Sequence, residues 1–251
     1  MKHLRNLGAL VALVSLLSGC PASQTWTTAR TLDEGDVQYS AGAEFLGFQA
    51  EYSDPSASSE LNGILLVPFP AFVLRYGVAE HVEIGGKFSM TGSMTFDVKI
   101  QLLRTDAFDL AFDPGLTSAF LINYLHLPIL ASLNFGENVT LTFAPKVSYA
   151  FIVASDGSST DSADGFFVGG ALSLQFRIGE SFAITPAFEW LEAVDPGAYT
   201  RFAILNFALG FSFGGRPVYG EAGYGSAQPA PMAPAPAGPT GPGYESAPPG
   251  Y

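Results

Sequence analysis

The sequence predicts an all-β fold: a closed antiparallel transmembrane β-barrel of about ten strands, followed by a disordered tail. Three observations lead there. Across residues 37–213, apolar and polar residues alternate with period two over stretches of ten or more, which gives a strand two chemically distinct faces. Those stretches exceed the usual five or six residues of a soluble strand and are long enough for a tilted bilayer crossing, which takes about 9–11. Of the 251 residues, 48% are apolar and only 14% charged, where an ordinary soluble domain carries about 25% charged residues. After the N-terminal segment there is no apolar run of the roughly 18 residues that a membrane helix needs, so strands must do the crossing.

The first element is an address. Lys2, His3 and Arg5 precede an apolar run from Leu7 to Leu17 that is too short to span a bilayer and has the layout of a secretory signal. It ends Leu17-Ser18-Gly19-Cys20, and Cys20 is the single cysteine of the chain. This run resembles the lipobox of bacterial lipoproteins. The resemblance implies cleavage of residues 1–19, lipidation of Cys20 and, with Pro21 rather than Asp next, sorting to the outer membrane. The mature chain would keep nine basic residues against 23 acids, a net charge of −14. No basic patch can be assembled from that balance, so no nucleic-acid partner is expected. Residues 20–36 are mostly polar and read as a periplasmic tether.

The barrel follows. Val139, Leu141, Phe143, Pro145, Val147, Tyr149, Phe151 and Val153 form one face, with Thr140, Thr142, Ala144, Lys146, Ser148 and Ala150 opposite. Met94, Phe96, Val98, Ile100 and Leu102 oppose Thr95, Asp97, Lys99 and Gln101, and Val168 to Ile178 repeats the pattern. The ten expected strands are about 37–52, 65–78, 82–90, 94–103, 108–118, 124–135, 139–153, 166–178, 182–194 and 200–213. Four connections are tight: 79–81, 105–107, 136–138 and 179–181. They alternate with five mostly longer ones at 53–64, 91–93, 119–123, 154–165 and 195–199. Membrane barrels have short periplasmic turns and longer outer loops. With ten strands, both barrel ends then lie on the periplasmic side, where a lipid on Cys20 would also place the N-terminus. A soluble sandwich or lipocalin-like barrel would need a well-charged outer face, which neither face supplies.

With the polar faces turned inward, the lumen is expected to hold the acids Glu44, Glu83, Asp97, Asp113 and Glu189 and the bases Arg75, Lys87, Lys99, Lys146 and Arg177. Charge in a low-dielectric interior is costly unless paired, and equal numbers of each sign point to pairing. Eight strands enclose a side-chain-filled interior and 16 leave a channel, so ten strands with balanced charge favour a plugged or very narrow lumen. The alternative is a narrow channel or transporter for small solutes. Tyr39, Tyr52, Tyr76, Tyr124, Tyr149, Trp190 and Tyr199 lie toward strand ends and fit an interfacial girdle.

From Gly214 the chain is built of Pro, Ala, Gly, Ser and Tyr, with nine of the 18 prolines in residues 214–251. Such a segment cannot bury enough apolar area to order itself. A periplasmic partner for this tail is the natural expectation. The last strand, 206–213, ends on Phe213 and resembles the closing strand of outer-membrane barrels, although 38 residues follow it. The chain as a whole resembles small outer-membrane β-barrel proteins of Gram-negative bacteria, here lipid-anchored, with outer-membrane lipid as its surroundings.

No catalytic signature is present: no Gly-x-Ser-x-Gly, no His-Glu-x-x-His and no glycine-rich phosphate loop. Of the mature histidines, His81 sits at a turn and His126 on an inner face, where a hydrogen-bonded structural role is expected. Residues 156–165 carry three carboxylates but lack the closing glutamate of a calcium loop. The chain therefore reads as a structural or interaction barrel, not an enzyme, with no cofactor and no metal.

Overall fold

The computed structural model describes residues 26–52, 61–119, 122–152, 165–194 and 199–215. The signal segment with its lipobox, loop residues 156–164 and tail residues 216–251 lie outside them.

The described chain is all strand and turn: β1 (Val37–Tyr52), β2 (Leu61–Ala79), β3 (Val82–Ser89), β4 (Ser93–Arg104), β5 (Phe108–Phe112), β6 (Gly115–Ala119), β7 (Ile122–Phe135), β8 (Val139–Ile152), β9 (Gly165–Ile178), β10 (Phe182–Ala193) and β11 (Tyr199–Gly214). All pairings are antiparallel, and β1 pairs with both β2 and β11, so the sheet closes on itself. Closure removes the unpaired edges that a bilayer would not tolerate.

Ten barrel positions are present, as expected, but the fifth is split. β5 and β6 both lie between β4 and β7 and are separated by Asp113-Pro114. Pro114 has no N–H to give the ladder. The barrel wall stays continuous there because the Val98 N–H donates to the Pro114 carbonyl at 3.0 Å and the Asp113 N–H to the Pro128 carbonyl at 3.2 Å. β2 is longer than expected, at 19 residues.

Among the described residues, side chains alternate in burial along the strands. Phe72, Leu74, Phe88, Met94, Phe96, Leu102, Phe143, Leu172 and Phe207 point outward and are exposed. A continuous exposed apolar surface of this kind is stable in hydrocarbon, not in water, and identifies a transmembrane barrel. Polar neighbours on the same strands, Thr95, Asp97, Lys99, Thr142, Lys146 and Ser148, are buried within.

The two ends of the barrel differ less in loop length than the sequence suggested. β2–β3, β4–β5, β7–β8 and β9–β10 close with tight turns at one end, called here the turn end, where β1 begins and β11 finishes. At the opposite, loop end, however, β3–β4 closes in three residues, Met90–Gly92, and β6–β7 is joined by residues 120–121 alone. Long connections at that end are confined to 53–60 and 153–164.

Candidate functional site

The feature with chemical content is the lumen. Each strand contributes alternate side chains to it, and register fixes their height, so its contents fall into three layers.

The middle layer is ionic. Lys87 of β3 bonds Glu44 of β1, and Lys146 of β8 bonds Glu189 of β10, all four side chains being nearly inaccessible. His126 is fully buried between strands, with Nδ1 2.8 Å from Ser148 Oγ and Nε2 2.9 Å from Thr117 Oγ1. Both ring nitrogens are thus engaged, as a structural role requires. Thr95 and Thr117 share a 2.8 Å bond across β4 and β6.

Toward the turn end the charges form a connected cluster. Arg75 Nη1 lies 2.7 Å from Glu83 Oε1 and 3.2 Å from Asp97 Oδ1, and Lys99 Nζ is 2.8 Å from the same Glu83 oxygen. Arg177 donates to Thr140 Oγ1 and Gln175 Oε1 at 3.0 Å each, and to the Glu137 carbonyl at the turn. Asp113 is fully buried at the β5–β6 interruption. All ten of the charged side chains named from the period-two pattern are buried.

Two further charges complete this cluster, and sequence reading missed both. Arg30 and Asp109 form a doubly hydrogen-bonded pair, Nη2 to Oδ1 at 2.8 Å and Nε to Oδ2 at 3.0 Å, and Arg30 also reaches the Thr105 carbonyl. Asn134 Nδ2 donates to Asp109 Oδ2 at 2.7 Å and its Oδ1 accepts from Thr140 at 2.9 Å, which links the pair to Arg177. Asp109 shares parity with Asp113, so the alternation held a signal for it. Arg30 had none, because it belongs to the stretch read as a tether.

That stretch is the largest departure from expectation. Residues 26–32 do not hang beside the barrel but lie inside it, every one of them buried. Their polar backbone is satisfied by lumen side chains. Ala29 N–H donates to Ser132 Oγ at 2.8 Å, Leu32 N–H to Glu83 Oε2 at 2.9 Å, and Lys99 Nζ donates to the carbonyls of Thr28 and Arg30 at 3.1 and 3.2 Å. Residues 33–36 then fasten to the rim, where Gly35 N–H bonds the Gly77 carbonyl and Gly77 N–H bonds the Asp36 carbonyl, at 2.9 and 3.0 Å. A buried peptide without secondary structure needs such partners, and the lumen charges provide them. The space left beside this strap, among Trp26, Arg30, Glu83, Lys99 and Gln175, is about 10 Å³, room for about one water molecule.

Toward the loop end the buried side chains are mostly apolar, apart from Ser89 and Ser93 beside the β3–β4 turn. Leu46, Ile122, Tyr124, Ala150, Phe167, Leu191, Phe202 and Ile204 form one buried cluster, with Phe69 packed against it. Tyr124 is 0% exposed and so is not part of an interfacial girdle. Its parity with His126 turns it inward. Tyr39, Tyr76 and Trp190 do face outward, while the side chains of Tyr52 and Tyr199 lie outside the described residues.

No protein-family model matches the chain, and no curated protein matches it by sequence. Solved structures do. The chain is similar to Ail, the attachment invasion locus protein of Yersinia pestis, at 12% identity and a TM-score of 0.33, over 72% of this chain and 99% of that one. It is similar to the outer membrane protease OmpT from Escherichia coli at 9% and 0.41, over 76% and 100%. An outer membrane channel from Pseudomonas putida F1 matches at 10% and 0.47, over 78% and 99%.

Proposed function

We propose that this protein is an outer-membrane β-barrel lipoprotein that acts as a closed structural and interaction barrel. The observation that supports the reading is what lies buried within the barrel: the strap and charge cluster toward the turn end, the pairs Lys87–Glu44 and Lys146–Glu189, and the apolar cluster around Tyr124 and Leu191. A conducting barrel needs a continuous polar path, and in this reading the apolar cluster interrupts it. The paired charges supply neither a free nucleophile nor an accessible base, and the His126–Ser148 contact is sealed from solvent.

In this reading Cys20 carries the lipid, in the inner leaflet, and the turn end faces the periplasm. The spacing supports it. Trp26 sits beside Gly42, five residues up β1 from Val37, about 17 Å along the strand at ~3.3 Å per residue. The six residues back to Cys20 span up to about 20 Å, enough to regain the rim. β11 finishes at the same end of the barrel, and a periplasmic partner for the residues that follow it is part of this reading.

Liposome swelling with refolded protein tests the reading against a narrow solute transporter. The proposal requires that small sugars and amino acids enter no faster than into protein-free liposomes. Swelling at a rate proportional to protein content would replace the closed barrel with a transporter.

A further inference from the structure

β1 and β11 are the first and last strands, so their pairing is the step that closes the barrel. At that seam Gly42 of β1 and Gly210 of β11 face each other in register. Both are inward positions, and together they make a bare patch of backbone across the two strands. Trp26 lies on it. A Cβ at Gly42 would come within 2.8 Å of the indole Cη2 and Cζ2, and one at Gly210 within 2.7 Å of Cγ and 2.8 Å of Cδ2. The six-membered ring thus covers β1 and the five-membered ring covers β11. Lys87 Nζ stands 5.5 Å from the ring centroid, a cation–π distance, and Lys87 is itself paired to Glu44 of β1.

We propose that the inner face of the closing seam is a binding site for the chain's own N-terminal segment, with Trp26 as the ligand that locks β1 to β11. Flanking contacts hold the segment in place from the opposite wall: Arg30 on Asp109, Ala29 on Ser132 and Thr31 on Gln101. The segment therefore ties the seam to β4, β5 and β7 across the lumen. This assignment holds whether or not the lumen conducts.

The test is the rate at which refolded, full-length protein in detergent loses its heat-modifiable folded band. Trp26→Ala should unfold at least about a hundredfold faster, because contacts that lock the closed seam are lost from the native state and the loss falls on the unfolding rate. The three atoms nearest a Cβ at Gly210 all belong to Trp26, so Gly210→Ala should also speed unfolding, and it should cost little once Trp26→Ala is present. Ser40 and Ser212 are paired across the same seam, with Oγ atoms 2.8 Å apart. A disulfide from Ser40→Cys with Ser212→Cys should therefore restore the slow rate to Trp26→Ala when oxidised, and not when reduced. Should Trp26→Ala not fold, the same rescue is read on Gly210→Ala. Wild-type rates in both variants, or an oxidised disulfide that leaves their fast unfolding unchanged, would overturn the proposal.

Discussion

Lys146 illustrates what one residue contributes here. Its ammonium sits in the middle of the barrel against Glu189, both nearly inaccessible. Lys146→Met keeps the length of the side chain but leaves the carboxylate without its cation. Removing one member of a buried pair costs on the order of 3–5 kcal/mol, reduced where water can reach the survivor. The expected outcome is a lower denaturant midpoint for Lys146→Met, while a conservative exchange at the exposed Leu172 leaves it in place. The proposed lipidation of Cys20 is tested at the same scale. Cys20→Ser should abolish incorporation of labelled fatty acid and leave the folded band intact, because the apolar outer face needs no anchor to enter a bilayer. Label persisting in that variant would remove the lipid assignment.

At the level of elements, strands were legible and the strap was not. A strand with one face in lipid and one in the lumen must alternate, so period two revealed each crossing and the inward side of Glu44, Lys87, Asp97 and Glu189. The same rule contained Asp109 and the inward turn of Tyr124, which strand-end position obscured. The split at Asp113-Pro114 follows from a visible proline, although its consequence depends on which carbonyls lie opposite. Residues 26–32 offered no period. Their burial rests on partners 51 to 103 positions away, such as Glu83 for Leu32 and Ser132 for Ala29, and polar composition describes a lumen segment as well as a tether. Loop length misled at 90–92 and 120–121, where strands ending at equal height need only a turn. The other terminus ends on a different basis. Gly215 N–H bonds the Val37 carbonyl at 2.7 Å and its carbonyl accepts from Gln38, so the seam extends to that residue. Truncation after Gly215 should leave heat-modifiable mobility unchanged, since nine prolines in 214–251 remove ladder donors. Loss of the folded band would make the tail part of the barrel.

The described barrel is layered twice, with lipid-compatible side chains outside and a gradient from charged to mostly apolar along the lumen. Orientation converts that gradient into topology. If the turn end is periplasmic, an epitope inserted beside Ser159 should be labelled on intact cells and one at Glu137 should not. The reverse pattern would invert the barrel, set the charge cluster outward and detach the account of Cys20. The central claim is that the lumen is shut, and single-channel recording in a planar bilayer tests it most directly. Refolded wild-type protein should give little or no current across a wide voltage range. Steady steps of porin size, together with a Lys146→Met variant as stable as its parent, would show the charges lining a water-filled channel and contradict it.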